Sequence, residues 1–290
     1  IHAATMVAAG VFMMVRLCSF GFLTPAVLDT VLVLCSLMAL CAGLWALGQT
    51  DIKKILAYST LAHLGLMGAG VALGYDLAMY HLTTHAFFKA TLFLVAGSII
   101  HACHHEQDIY KMGGIFSRMP ITSIVALLAT FSIIAIPYFS GYYSKEAIVV
   151  AAYTRSAGGA FIYQAAFWII FAAAALTPIY MFRLFFNVFC GTPHSECAAN
   201  ARESSLWMTF PLVVLAVYSV FGAWGFAYES QWLDGKFSFI MPTAAVKFVS
   251  GLLPLHSPTP EIEGTVGLVE NAALACTFIG IGIAYVLYGR

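Results

Sequence analysis

His81-Leu82-Thr83-Thr84-His85-Ala86-Phe87-Phe88-Lys89 decides how this chain is read. The nine residues put two imidazoles and an ammonium into a run that is otherwise apolar enough to cross a membrane. On a helix that advances about 100° and rises about 1.5 Å per residue, positions 81, 85 and 89 fall on one stripe and span about 12 Å of depth. Holding such groups inside a bilayer is costly unless they face protein or a water-filled path. The pattern therefore predicts an ion or proton path rather than packing.

Working outward from that stretch, composition places the whole chain in the membrane class. Of 290 residues, 61% are hydrophobic and 9% charged, with a mean hydropathy of +0.90; soluble domains carry about 25% charged residues. A net charge of zero argues against a nucleic-acid partner, and no Lys/Arg block marks an anionic-lipid switch. The seven cysteines, at 18, 35, 41, 103, 190, 197 and 276, form no Cys-x-x-Cys pair, which removes the usual iron–sulfur, zinc-ribbon and thioredoxin-like spacings. With Ile1 in first place and no basic region or cleavage site behind it, the chain shows no signal peptide and reads as a fragment or one half of a split protein.

The fold class expected is all-α, a membrane protein of about eight transmembrane helices, one of them discontinuous. The apolar stretches run over approximately 2–17, 27–49, 52–74, 77–103, 120–154, 160–190, 206–228 and 265–288, against a hydrocarbon core of about 30 Å. Asp51-Ile52-Lys53-Lys54 reads as an interfacial turn and helix start, with the acid where the helix dipole favours it. Gly65, Gly68, Gly70 and Gly74 make the third stretch a close-packing helix. His63 within it reads as an interhelical hydrogen bond in preference to a proton site.

The fifth stretch is expected to break. Pro137-Tyr138-Phe139-Ser140-Gly141-Tyr142-Tyr143-Ser144-Lys145-Glu146 sits between two apolar runs; proline frees a carbonyl, glycine permits non-helical dihedrals and serines replace lost hydrogen bonds. Broken membrane helices place binding groups at the break, so Lys145 is read as buried. Elsewhere the signals are blander. His101-Ala102-Cys103-His104-His105-Glu106 marks the membrane surface rather than a metal site, because neighbouring residues on a helix diverge; bis-His haem ligation at His81 or His85 lacks an identifiable partner. Arg183, among Phe182, Phe185 and Phe186, reads as a snorkelling anchor. Residues 237–254, within the Pro-rich connection from Glu229 to Glu263, read as an interfacial or re-entrant helix.

If the spans alternate, Lys53, Lys54, Lys111, Arg118, Arg183, Arg202 and Arg290 share the side of residue 1, against Arg16, Arg155, Lys236 and Lys247. The positive-inside rule puts that first side in the cytoplasm, or in the matrix of an organelle.

His2-Ala3-Ala4-Thr5-Met6-Val7, Asp51 to Thr60, His81 to Lys89, His104-His105-Glu106-Gln107 with Lys111-Met112-Gly113-Gly114, and Ser140 to Glu146 resemble subunit L, the antiporter-like proton-pumping subunit of bacterial NADH-quinone oxidoreductase (respiratory complex I). Several of these motifs are shared with large subunits of multi-subunit Na+/H+ antiporters and membrane-bound hydrogenases. The resemblance implies residues 27–190 as a second antiporter-like five-helix repeat, 1–26 as the truncated end of the preceding repeat, and 191–290 as C-terminal helices with a Pro-rich connection. It also implies that the long lateral helix of the family is missing.

In that family a central axis of titratable residues joins two half-paths. The resemblance implies His81, His85 and Lys89 in the axis and the cytoplasmic half-channel, Lys145 in the broken helix with Glu146 as its neighbouring acid, and His2 linking the two halves. His63 and Leu66 stand where the family more often has Gln and Tyr, and Glu146 where it has Asp. The chain itself would hold no cofactor; NADH, FMN, iron–sulfur clusters and quinone would belong to other subunits, with antiporter-like membrane-arm neighbours and the lipid bilayer as partners. The membrane implied is the bacterial inner membrane, or the mitochondrial one. A sodium-driven antiporter subunit and a structural scaffold are the readings from other classes.

Overall fold

The apolar stretches form long helices with ends set by identifiable residues. The computed structural model describes residues 6–223 and 260–289; the expected re-entrant piece 237–254 lies outside the described residues. The helices are α1 (Met6–Ser19), α2 (Pro25–Gly48), α3 (Ile52–Leu73), α4 (Tyr75–Ala102), α5 (Pro120–Ile133), α6 (Ser140–Ser156), α7 (Phe161–Phe189), the short α8 (Glu196–Ala199), α9 (Leu206–Phe221) and α10 (Pro260–Tyr288). No strand is formed among the described residues, only an isolated antiparallel bridge between Asp51 and Asp108. Five helices, α2, α3, α4, α7 and α10, are long and apolar enough to cross a membrane. The fold is thus an all-helical membrane domain.

Capping explains the boundaries. Asp51 accepts from the amides of Lys53 at 2.8 Å and Lys54 at 3.3 Å, closing two of the free donors at the start of α3. Pro25 and Pro120 open α2 and α5, where the missing N–H costs nothing. The start of α5 is capped from a distance: Glu203 accepts from the amides of Ile121 at 2.9 Å and Thr122 at 3.3 Å and from the Thr122 hydroxyl.

Of the five long helices α3 is the most enclosed and α10 the least. α3 packs on α2 and α4, and α4 also meets α5, α6 and α9, while α10 lies along α7 and α6. The α2–α3 contact is backbone to backbone: a Cβ on Gly65 would come 2.6 Å from Ala39 N and from Cys35 O, so only glycine permits the approach.

One end of the bundle is woven from three connections. Ile52 N donates to Gln107 O at 3.0 Å and Ile109 N to Thr50 O at 2.9 Å, while Gly114 N donates to Cys190 O at 2.9 Å and His194 N to Met112 O at 3.1 Å. Lys53, Lys54, Lys111, Arg118 and Arg202 fall on or beside these segments, as the alternation of spans predicts.

Between α5 and α6 the chain leaves the helix for six residues, 134–139, with positive φ at Ala135 (66°) and Tyr138 (72°). Helix resumes at Ser140, three residues past Pro137 and earlier than the polar run suggests, so Lys145 and Glu146 sit in the second turn of α6. Ser132 and Ser140, from either side of the break, and the carbonyl of Ser219 on α9 form one hydrogen-bonded cluster, the two hydroxyls 3.0 Å apart and each within reach of the carbonyl, so that one serine donates to Ser219 O and the other to either oxygen. Gly141 passes so close to Ser132 that an added Cβ would overlap the Ser132 carbonyl oxygen.

Candidate functional site

The stripe read from sequence is buried where α3, α4 and α6 meet. His63, His81 and His85 all have 1% or less of their surface exposed. His63 Nδ1 and His81 Nε2 share a hydrogen bond of 3.0 Å, and their rings stack with centroids 5.2 Å apart. His81 Nδ1 shares the next bond, 2.9 Å, with Ser144 Oγ, which in turn meets Thr84 Oγ1 at 2.7 Å. His85 stands beside both histidines, its ring centroid 5.5 Å from His63 and 6.1 Å from His81, with Phe88 edge-on at 5.3 Å.

The polarity of this run is set by one proton. If His63 carries hydrogen on Nδ1, His81 accepts at Nε2 and donates from Nδ1 to Ser144; if His81 carries it on Nε2, the donors run the other way. Either way the ring nitrogens and the Ser144 hydroxyl form one continuous hydrogen-bonded chain. The Nε2 atoms of His63 and His85 are buried with no protein partner.

Two lysines flank the run. Lys89, fully buried, donates from Nζ to Leu56 O on α3 at 3.1 Å. Lys145, 3% exposed, donates to Ala174 O on α7 at 3.2 Å. Neither is ion-paired: among the described residues the salt bridge found is Lys111–Glu106, 3.2 Å, in the loops. Each ammonium is thus satisfied by a carbonyl of a neighbouring helix and not by a direct ion pair.

Glu146 is 8% exposed and its Oε1 has no hydrogen-bond partner. It opens with Lys145 on a narrow cleft between α6, α7 and α10, walled by Tyr142, Ala174, Ala273 and Thr277 among others. Thr277 Oγ1 donates to Ile134 O at 3.4 Å, tying α10 to the first residue of the break.

At the loop-rich end Arg183 departs from the snorkelling anchor expected of it. It is 3% exposed and turned inward, donating to Gln49 O at 2.8 Å and Tyr110 Oη at 3.1 Å, with the guanidinium over the Tyr110 and Tyr288 rings. Two connections and the end of α10 give it partners that a lone surface arginine lacks. Nearby, Glu106 accepts from the amides of Gln107 at 2.9 Å and Asp108 at 3.0 Å. Those amide bonds, and then Lys111, hold its carboxyl below the ordinary value of 4.5.

Of the residues singled out from sequence, the structure brings His81, His85 and Lys89 to one buried face of α4 and puts Lys145 and Glu146 one helix away; His2 lies outside the described residues. Among the described residues no His/Cys/Asp/Glu group is placed to hold a metal. The hydroxyls of Ser144 and Thr84 were not legible as site residues, since nothing in a membrane sequence marks which serine meets a histidine. His63 was expected to bond across helices, and does; that its partner is another site histidine follows only from the packing.

The family model described as "NADH:quinone oxidoreductase/Mrp antiporter, TM" matches residues 1–177. NADH-ubiquinone oxidoreductase chain 5 of Yarrowia lipolytica is 38% identical over 228 residues, 77% of this chain and 34% of that one. NADH-quinone oxidoreductase subunit L of Neisseria meningitidis serogroup A is 42% identical over 242 residues, 76% of this chain and 35% of that one. The chain thus spans about a third of the length of these relatives. A chain of the Mrp complex from Dietzia sp. DQ12-45-1b superposes with a TM-score of 0.71 at 24% identity, covering 99% of this chain and 30% of that one, a likeness of fold.

Proposed function

Because the chain belongs to the NADH:quinone oxidoreductase/Mrp antiporter transmembrane family, we propose that it is part of a proton-translocating membrane-arm subunit of NADH-quinone oxidoreductase. In this reading there are eight transmembrane helices, α5 and α6 together forming the discontinuous one. Residues 27–190 are the second antiporter-like repeat, 1–26 end the preceding one, and 191–290 are C-terminal helices. The chain contributes to a translocase but carries out no electron transfer. NADH, FMN, iron–sulfur clusters and quinone act in other subunits, antiporter-like neighbours flank it, and the membrane is the bacterial inner or the mitochondrial inner one.

The observation that carries the proposal is the buried hydrogen-bonded run His63–His81–Ser144–Thr84 with an unpaired lysine on either side. Protons enter from the loop-rich, positively charged end and reach Lys89 and His85 through internal water. His63 and His81 relay them to Ser144 at the start of α6, and Lys145 with Glu146 takes them toward the opposite face. Burial disfavours the charged form of an amine, so a charge change elsewhere in the complex can expel a proton from a lysine. His2 is assigned to the junction with the first half of the path.

The family's description also covers Mrp antiporters, so a cation/proton antiporter subunit is the second reading. Proton output per electron is measured in native membrane vesicles oxidising NADH, with Lys145→Ala beside the unaltered complex. Loss of output in the variant supports the first reading. Proton movement that needs a sodium gradient and ignores NADH moves the assignment to the second, and a Lys145→Ala complex with normal output in both assays refutes the proton path.

A further inference from the structure

The hydrogen-bonded run ends at Ser144 and Thr84: Lys145 turns its Nζ to Ala174 O instead, and Glu146 keeps a buried oxygen without a partner. The cleft on which both open has α10 as its far wall, through Ala273, Leu274 and Thr277. On a helix, positions 270, 273, 274 and 277 share one stripe, so Glu270 continues that wall by one turn. Tyr288, at the other end of α10, sits under Arg183 at the loop-rich end. Glu270 therefore lies displaced from the break toward the opposite face, where Arg155 and Asp29 both bond Tyr163 Oη, at 3.3 and 2.8 Å.

Glu270 is a costly residue to place there for packing. It stands half-buried, five residues and about 8 Å into Thr265–Tyr288, the stretch of α10 apolar enough to cross a membrane. A carboxylate at that depth is tolerated when it faces protein or a watered cavity rather than lipid. The stripe it shares with Ala273, Leu274 and Thr277 places it on the α6 side of α10.

We propose that Glu270 is the outermost carboxylate of the proton path, receiving the proton that leaves Lys145 by way of Glu146 and releasing it at the Arg155 face. The inference rests on the reading of Lys145 as a proton carrier. The transfers balance at each step. The Lys145 ammonium gives one proton to the Glu146 carboxylate and becomes the neutral amine. The Glu146 carboxylic acid gives the proton, through water in the cleft, to the Glu270 carboxylate, and the acid so formed gives it to water at the surface. Each group ends in the form in which it began once Lys145 is reprotonated from within.

The test is proton movement by the whole complex in native membrane vesicles, driven by NADH oxidation or, on the antiporter reading, by a sodium gradient. Glu270→Gln keeps the shape but cannot carry the proton, and it is expected to slow proton movement by about tenfold or more at an unchanged amount of assembled complex. Glu270→Asp, which keeps the acid, restores most of the rate. A Gln variant that moves protons at the normal rate, or an Asp variant as slow as the Gln one, overturns the proposal. Lys145→Ala run alongside separates the two failures: if it stops proton movement while Glu270→Gln does not, only the role of Glu270 falls, and if neither matters the path itself falls. Should Glu270→Gln not assemble, carbodiimide labelling of the unaltered complex decides. An adduct on Glu270 that tracks the loss of proton movement supports the assignment, and an unmodified Glu270 overturns it.

Discussion

His63 of α3 and His81 of α4 are joined by a 3.0 Å hydrogen bond with their rings 21° from parallel. The two helices are therefore coupled by the same atoms that would carry a proton. His63→Leu removes the ring and leaves His81 Nε2 buried without a partner, at a cost of about 1–3 kcal/mol. His63→Gln keeps an amide able to bond His81 and loses less. Thermal unfolding of the detergent-solubilised complex should rank unaltered, Gln and Leu in that order; a Leu variant as stable as the unaltered chain would remove the bond from the account.

Gly141→Ala tests the break. The new methyl overlaps the Ser132 carbonyl oxygen, a backbone atom that cannot swing aside, so the two half-helices must separate. Overpacking of this kind costs about 1–3 kcal/mol or more. The expected result is less complex in the membrane and a lower unfolding temperature, whereas Gly97→Ala on α4, where a Cβ meets nothing within 4 Å, leaves both unchanged.

Arg183→Leu should loosen the loop-rich end while sparing the helices. It deletes the bonds to Gln49 O and Tyr110 Oη, and bonds to a charged donor are worth about 1.5–3 kcal/mol. Amide exchange over 107–111 is expected to quicken by about tenfold or more, with α3 and α4 as slow as before. Arg183→Lys is expected to rescue it only in part: both bonds leave one nitrogen, Nη2, which an ammonium can imitate, but the guanidinium over the Tyr110 and Tyr288 rings is lost.

Glu106 makes the same loop acid-sensitive. A carboxyl held below its ordinary value favours the folded loop fully above that value, 4.5, and loses the contribution as pH falls through the lower folded one. Protection of the Gln107 and Asp108 amides should hold from neutrality down to 4.5 and decline below it. In Glu106→Gln the protection is weaker near neutrality and no longer varies with pH over that window.

The sequence reveals the fold because lipid imposes a simple rule on it: each apolar stretch must be a helix, and Asp51, Pro25 and Pro120 announce where helices start. It reveals the stripe His81, His85, Lys89 because charges in such a run have no ordinary explanation. It is silent on what those groups touch. Ser144 and Thr84 look like any other small polar residues of a membrane helix, and their meeting with His81 depends on α6 restarting at Ser140 rather than farther on. Arg183 has the neighbours of a surface anchor in sequence and those of a buried tie in space. Glu270 reads as one more acid in a terminal helix until α10 is seen to wall the Lys145 cleft.

The staple across the interrupted α5–α6 segment decides what kind of machine this can be. Ser132, Ser140 and the Ser219 carbonyl are locked together, and Gly141 leaves no slack beside them. A transporter that rocks two bundles about its bound cargo needs a joint that swivels, and here the joint is riveted. On the proposed reading, what crosses does so through a stationary frame, by side-chain and water rearrangements rather than by the microsecond-to-millisecond swings of rocking carriers. The pace of transport would then be dictated by events outside this chain.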